Sequence, residues 1–218
     1  MSPCCEYPMT DSLSDRSALA ATDESAPKRA DVSRQQILTV AATLFCARGY
    51  AGTSLRDIGA AVGMKAGSLY YHFASKEELA AEVLRIGVER VHQAVEARLR
   101  TLGESASLRG KIEGAIAAHL ETLWLESDFT SAHIRCIHTA PPSVRNSLHQ
   151  VRRDYETVWR NLIGEAARAS LLPPEAEPTA VRLAILGALN WSLEWSDPGR
   201  HKPEEFARTL AASFIREG

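Results

Sequence analysis

A chain of 218 residues that is 45% hydrophobic and 24% charged has material for a small module beside a larger one. It lacks any run of the roughly 18 to 20 apolar residues needed for a membrane span, and no basic-then-apolar leader opens it, so a cytoplasmic protein without membrane contact is expected. The net charge of −2 hides an asymmetry: residues 28–76 hold seven cations against two carboxylates, a net of +5, which leaves −7 elsewhere and suits a basic segment that meets a polyanion.

Residues 1–30, rich in Ser, Ala, Asp, Glu and Pro and without helical period, read as a disordered arm ending in Lys28 and Arg29. From Ser33, the apolar residues Ile37, Val40, Ala41, Leu44 and Phe45 recur at helical spacing until Gly49, with Ser33 and Gln36 in a capping-box pattern. A second short helix begins at Thr53 or Ser54, turns Leu55, Ile58 and Val62 inward and stops at Gly63. A tight turn through Met64 and Lys65 leads to a third helix over 66–72, too short to persist without packing. Ser75 to Glu78 then open a long fourth helix to about residue 102. Five more helices are expected at 107–126, 128–139, 143–171, 177–196 and 203–216, punctuated by prolines, and no period-two pattern competes. The reading is all-α, about nine helices, with a helix-turn-helix module over 31–78 and a helical ligand-binding and dimerisation domain over 79–218.

Residues 53–78, TSLRDIGAAVGMKAGSLYYHFASKEE, following AATLFCARGY at 41–50, closely resemble the DNA-binding signature of the TetR family of bacterial regulators. The residues make sense chemically as well. Gly63 suits a sharp turn, and Ala66, Gly67 and Ser68 are small enough to let a helix approach a groove. Leu69 and Phe73, four apart, face the module's own core, while Tyr70, Tyr71 and His72 project from the remaining faces with donors for phosphate oxygens. The resemblance implies DNA contacts at Thr53, Lys65, Ser68, Tyr70, Tyr71, His72 and Lys76, beside the close-approach positions Ala66 and Gly67. Lys65 and Ser68 are assigned to base edges; Thr53, Tyr70, His72 and Lys76 to the backbone. The implied partner is double-stranded operator DNA.

The stretch GALNWSLEW at 187–195 is similar to the penultimate helix of a TetR subgroup that answers to acyl-CoA thioesters. That subgroup continues into an aromatic, an Arg and a Pro; here Ser196, Asp197 and Pro198 follow, so the Pro is kept and the cation is missing. Trp124, Phe129, Tyr155, Trp159 and Trp191, with His119, His133 and Asn190 as polar company, are the residue types that line a small-molecule cavity or fill a core. Val181, Ala184, Ile185, Ala188 and Leu189 form a small-and-apolar stripe with Phe206, Leu210 and Phe214 alongside. The last two helices are therefore expected to form a homodimer, although the same stripe could serve the chain's own core.

The expected function is a repressor released from a palindromic operator by a mostly apolar small effector, with an acyl-CoA or lipid-derived acid as the leading class. Two other readings stay open: a metal- or thiol-sensing regulator, prompted by His133, Cys136 and His138, and a DNA-binding dimer without a ligand. The four cysteines, Cys4, Cys5, Cys46 and Cys136, are too irregular for a disulfide framework. No repeated ligand spacing points to a metal or cofactor, and no nucleophile-base-orienter set points to an enzyme.

Overall fold

A computed structural model describes residues 29–126, 128–197 and 200–216, and among these residues there are ten α-helices and no strand. The expected N-terminal arm lies outside them, except that Arg29 and Ala30 belong to the first helix.

Helix α1, Arg29–Arg48, starts a turn earlier than the Ser33 pattern suggests, because no residue type between Arg29 and Ser33 breaks a helix. Ser33 is thus inside α1 and is not its cap. Helix α2, Leu55–Val62, is capped by Ser54, whose hydroxyl accepts the Asp57 N–H while Asp57 accepts the Ser54 N–H. Gly63 ends it at φ +76°, a conformation that disfavours any side chain, and Met64 N–H closes the turn on Gly59 O at 2.8 Å. The third helix is shorter than expected: α3 spans Ala66–Leu69, and turn-like bonds carry the backbone on to Phe73. Helix α4, Lys76–Leu102, is capped by Ser75 and runs 27 residues.

Beyond it lie α5 (Leu108–Glu121), a π-helical turn (Thr122–Glu126), α6 (Asp128–Cys136), α7 (Pro142–Ser147) and α8 (His149–Arg168). Then come α9 (Pro178–Trp191), a single 3₁₀ turn (Ser192–Glu194) and α10 (Pro203–Phe214). The single helix expected over 143–171 is therefore two. At Leu148 the N–H bonds back three residues to Arg145 O, and the Ser147 hydroxyl donates to Val144 O, which competes with the regular ladder. Proline opens α7, α9 and α10 at the helix start, where its missing N–H costs nothing.

Two apolar cores divide along α4, between Leu84 and Val88. The first joins Ile37, Phe45, Ile58, Leu69, Phe73, Leu79 and Leu84 with Phe129, Cys136 and Leu148 from the α6–α8 region. The second joins Val88, Val91, Val95, Ile112, Ile116, Trp159, Ile163, Val181, Ile185, Leu189 and Ala211. Helix α6 is fastened to α1 as well: the Thr43 hydroxyl donates to Asp128 at 2.6 Å and the Cys136 thiol to Phe45 O at 3.5 Å. Both α4 and α6 thus run from the N-terminal module into the body of the protein.

Candidate nucleic-acid interface and ligand cavity

The turn between α2 and α3 lifts one continuous set of polar side chains to the surface because Leu69 and Phe73 are buried beneath it. Lys65 and Gly67 are exposed, Ser68 and His72 half-buried, Tyr70 is 59% exposed and Tyr71 91% exposed. An aromatic ring left almost entirely in water gains nothing for the fold, so Tyr71 stands out as a surface for something else. Ala66 opens α3.

Two residues assigned to DNA face inward instead. Thr53 is buried, and its hydroxyl donates to Leu44 O at 3.2 Å and Gly49 O at 3.0 Å, so it locks the α1–α2 joint. Lys76 is half-buried: its ammonium donates to Tyr50 O at 2.6 Å and lies 4.0 Å over the Tyr50 ring. Burial lowers the Lys76 pKa, and burial together with donation to Glu77 at 3.0 Å pushes the Tyr50 hydroxyl up to about 12. Arg34 is likewise used internally, paired with Glu82 and set 4.3 Å over the Phe73 ring. Among the described residues, the basic charge exposed on this module is then Arg48, Arg56 and Lys65, and of these the two arginines were signalled by the charge count and not by the motif.

Behind this module, α4, α6, α8 and α9 enclose a cavity of about 440 Å³, within the range of small-molecule sites. Gly87, Val88 and Val91 of α4 form one wall, and Thr130, His133, Ile134 and Ile137 form the next. Tyr155, Arg152 and Glu156 come from α8, Leu186, Gly187, Asn190 and Trp191 from α9, and His119 from α5. Exposed Arg135, His138, Asn190, Trp191 and Glu194 make the rim.

Of the residues expected to line a cavity, His133, Tyr155, Asn190 and Trp191 do so, and Trp124, Phe129 and Trp159 do not. Trp159 is completely buried in the second core. Phe129 packs in the first core with the Arg90 guanidinium 4.4 Å from its ring. Trp124 donates to Ser192 Oγ at 2.8 Å and meets Trp195 and Phe206, an aromatic cluster that closes the link between α9 and α10. Two cations from other helices border the cavity, Arg152 of α8 and Arg135 of α6, the latter 3.7 Å from Glu194.

Two histidines inside the cavity are held neutral. Burial lowers His119 to about 4; burial, then the nearby Arg152 charge, lowers His133 to about 3. His133 Nδ1 lies 3.1 Å from Leu84 O, which can only accept, so the proton is on Nδ1. No group of three His, Cys, Asp or Glu side chains able to hold a metal ion occurs among the described residues. Cys136 is buried and desolvation raises its thiol to about 11, the opposite of a reactive thiolate. No helix is long and apolar enough to cross a membrane among the described residues.

Residues 37–83 match the family model for bacterial regulatory proteins of the tetR family, and residues 105–217 match the tetracyclin repressor-like C-terminal domain. The HTH-type transcriptional repressor KstR2 of Rhodococcus jostii is 52% identical over 52 residues, which is 24% of this chain and 26% of that protein. The match thus spans about a quarter of the curated relative. Among solved structures, the TetR family transcriptional regulator PfmR from Thermus thermophilus is 27% identical, with a TM-score of 0.69 over 82% of this chain and 93% of that one. AibR, in complex with isovaleryl coenzyme A and operator DNA, has the same fold at 24% identity, with a TM-score of 0.74 over 85% of this chain and 100% of its own.

Proposed function

The chain belongs to the TetR family of bacterial regulatory proteins, and from that premise we propose that it is a repressor released from a palindromic operator by a small, mostly apolar effector. The observation that carries this reading is the cavity whose walls are α4 and α6, the two helices that also pack in the core of the DNA-facing module. A ligand there touches the supports of the recognition surface without touching the surface itself. Repression agrees with the output named for KstR2. Apolar walls with Arg152 and Arg135 near the mouth favour an apolar body with an anionic end, hence an acyl-CoA or lipid-derived acid, and AibR is a case of this fold holding an acyl-CoA and operator DNA. A thiol sensor fits less well, because Cys136 is buried with a raised pKa.

Selection of bound DNA from a random library should return an inverted repeat, and a panel of acyl-CoA thioesters and fatty acids should release it. Release by metal ions or oxidants alone would overturn the cavity reading. On the selected site, Lys65→Ala should relax preference at one base position per half-site, because base contacts specify and phosphate contacts position. Tyr70→Phe and Tyr71→Ala should weaken all sequences alike, and removing one phosphate partner should lower the salt slope by roughly one unit per half-site. Thr53→Ala and Lys76→Ala should instead lower thermal stability. An unchanged salt slope with Tyr70→Phe and Tyr71→Ala would refute the assignment of these rings.

The dimer is assigned to α9 and α10. Val181, Ile185 and Leu189 are buried in the chain's own core, so the face left for a partner carries Leu183, 57% exposed, with Ala184 and Gly187 beside it. Leu183→Glu should give a folded monomer on sedimentation. Without the second recognition helix, operator binding should weaken by roughly 10²- to 10⁴-fold, the usual gain from linking two sites. A folded dimer with unchanged affinity would move the interface elsewhere.

A further inference from the structure

The cavity has a buried polar group that the DNA-binding motif and the apolar walls leave unexplained. His119 borders it from α5, is only 2% exposed, and has Nδ1 2.6 Å from the Tyr155 hydroxyl, also at the cavity wall. Its other ring nitrogen, Nε2, is buried with no partner among the described residues. An imidazole nitrogen out of water and without a hydrogen bond is costly, which makes it a conspicuous feature in a cavity that otherwise suits an apolar guest.

The pairing with Tyr155 decides which kind of group is left over. If Nδ1 carried the proton and donated to the tyrosine oxygen, the hydroxyl hydrogen and the Nε2 lone pair would both lack partners. If the hydroxyl donates to Nδ1, the proton sits on Nε2 and one donor alone is unmet. The second arrangement leaves fewer orphans. Burial keeps the ring neutral and raises the Tyr155 pKa, so neither group exchanges its role near neutral pH.

Resting on the reading of this cavity as the effector site, we infer that the effector presents a carbonyl or carboxyl oxygen to the Nε2–H of His119, with its apolar chain along Val88, Val91 and Leu186. Tyr155 is a positioning residue: it fixes the tautomer and does not itself hold the ligand oxygen. A site built to satisfy a buried donor rejects an analogue lacking the acceptor more strongly than it rejects a chain one methylene shorter.

The test uses the full chain labelled with ¹⁵N-histidine and two neutral probes, methyl nonanoate and 1-methoxynonane, which differ by the carbonyl oxygen. Long-range ¹H–¹⁵N spectra should show His119 protonated at Nε2, and that resonance should move on adding the ester. The ester should bind at least about tenfold more tightly than the ether, a difference of one ordinary hydrogen bond. His119→Phe should abolish the preference. Tyr155→Phe, which keeps the ring's packing but frees the tautomer, should reduce it. A proton on Nδ1, equal affinities, binding of neither probe, or a preference that survives His119→Phe would overturn the inference. An ester preference abolished in His119→Phe supports it even where no acyl-CoA or fatty acid releases DNA, an outcome that removes the effector reading alone.

Discussion

Trp159→Ala should lose about 3–5 kcal/mol of stability, the range for a large aromatic removed from a closed core. In thermal unfolding this is a fall of roughly 6 to 20 °C for a chain of this size. The reason is position: Trp159 is wholly buried among Leu162, Ile163, Ile116 and Ile185, and the Tyr155 ring meets it edge-on at 6.4 Å. No neighbour can fill the space left by the indole without moving a helix. Trp191→Ala should behave in the opposite way. That ring is 67% exposed at the cavity rim, so its removal should change stability by about 0.5 kcal/mol or less, as for most surface substitutions. It should bind operator normally and respond less to effector. Chemical denaturation followed by circular dichroism separates the two; similar midpoints for both variants would contradict this division of roles.

The two tryptophans show where the sequence is legible and where it is not. Local chemistry is readable: Ser54 caps, Gly63 turns, and Leu69 and Phe73 at i and i+4 anchor a short helix, because each acts within a few residues of itself. Motif resemblance reached the same module independently. The direction in which a polar side chain points is a tertiary matter. Thr53 and Lys76 have the right types at the right places for phosphate contacts, yet the carbonyls of Leu44, Gly49 and Tyr50 lie close enough to claim them. The cavity was legible only in part, through His133, Tyr155, Asn190 and Trp191, for the same reason. Its walls come from helices separated by scores of residues, and Arg152, its half-buried cation, sits in a helix whose pattern reads as an ordinary amphipathic surface. The stripe on α9 was open to two uses, and only packing shows that its Val181, Ile185 and Leu189 belong to the chain's own core, while Leu183, outside the stripe, is the exposed apolar residue.

Gly87→Ala should release DNA in the absence of any effector. Gly87 lies where α4 crosses α6, and a Cβ there would stand 2.3 Å from Phe129 O and 3.1 Å from His133 Cβ. The first of these is backbone, which cannot rotate away, so the helices must part. Alanine favours a helix over glycine by about 1 kcal/mol, but overpacking a tight contact costs about 1–3 kcal/mol, so the net effect is mild destabilisation. The functional effect should be larger. The Thr130 hydroxyl donates to Gly87 O at 3.2 Å and His133 to Leu84 O at 3.1 Å, two bonds that hold the crossing closed on the cavity side. On the proposed reading, an effector lodged between Val88, Val91, Ile134 and Ile137 should favour a state in which those helices stand farther apart, since a ligand shifts an equilibrium only through such a difference. The alanine methyl imposes the same separation permanently. Because α6 is tied to α1 through Thr43–Asp128 and Cys136–Phe45, the displacement reaches the module that carries α3. Operator affinity should fall about 5- to 150-fold, the span of ordinary coupling free energies of about 1–3 kcal/mol, and effector should add little further release. Fluorescence anisotropy with labelled operator measures both quantities. A folded Gly87→Ala variant that binds operator as tightly as the parent and is released by the same effector concentration would show that the α4–α6 crossing does not carry the signal.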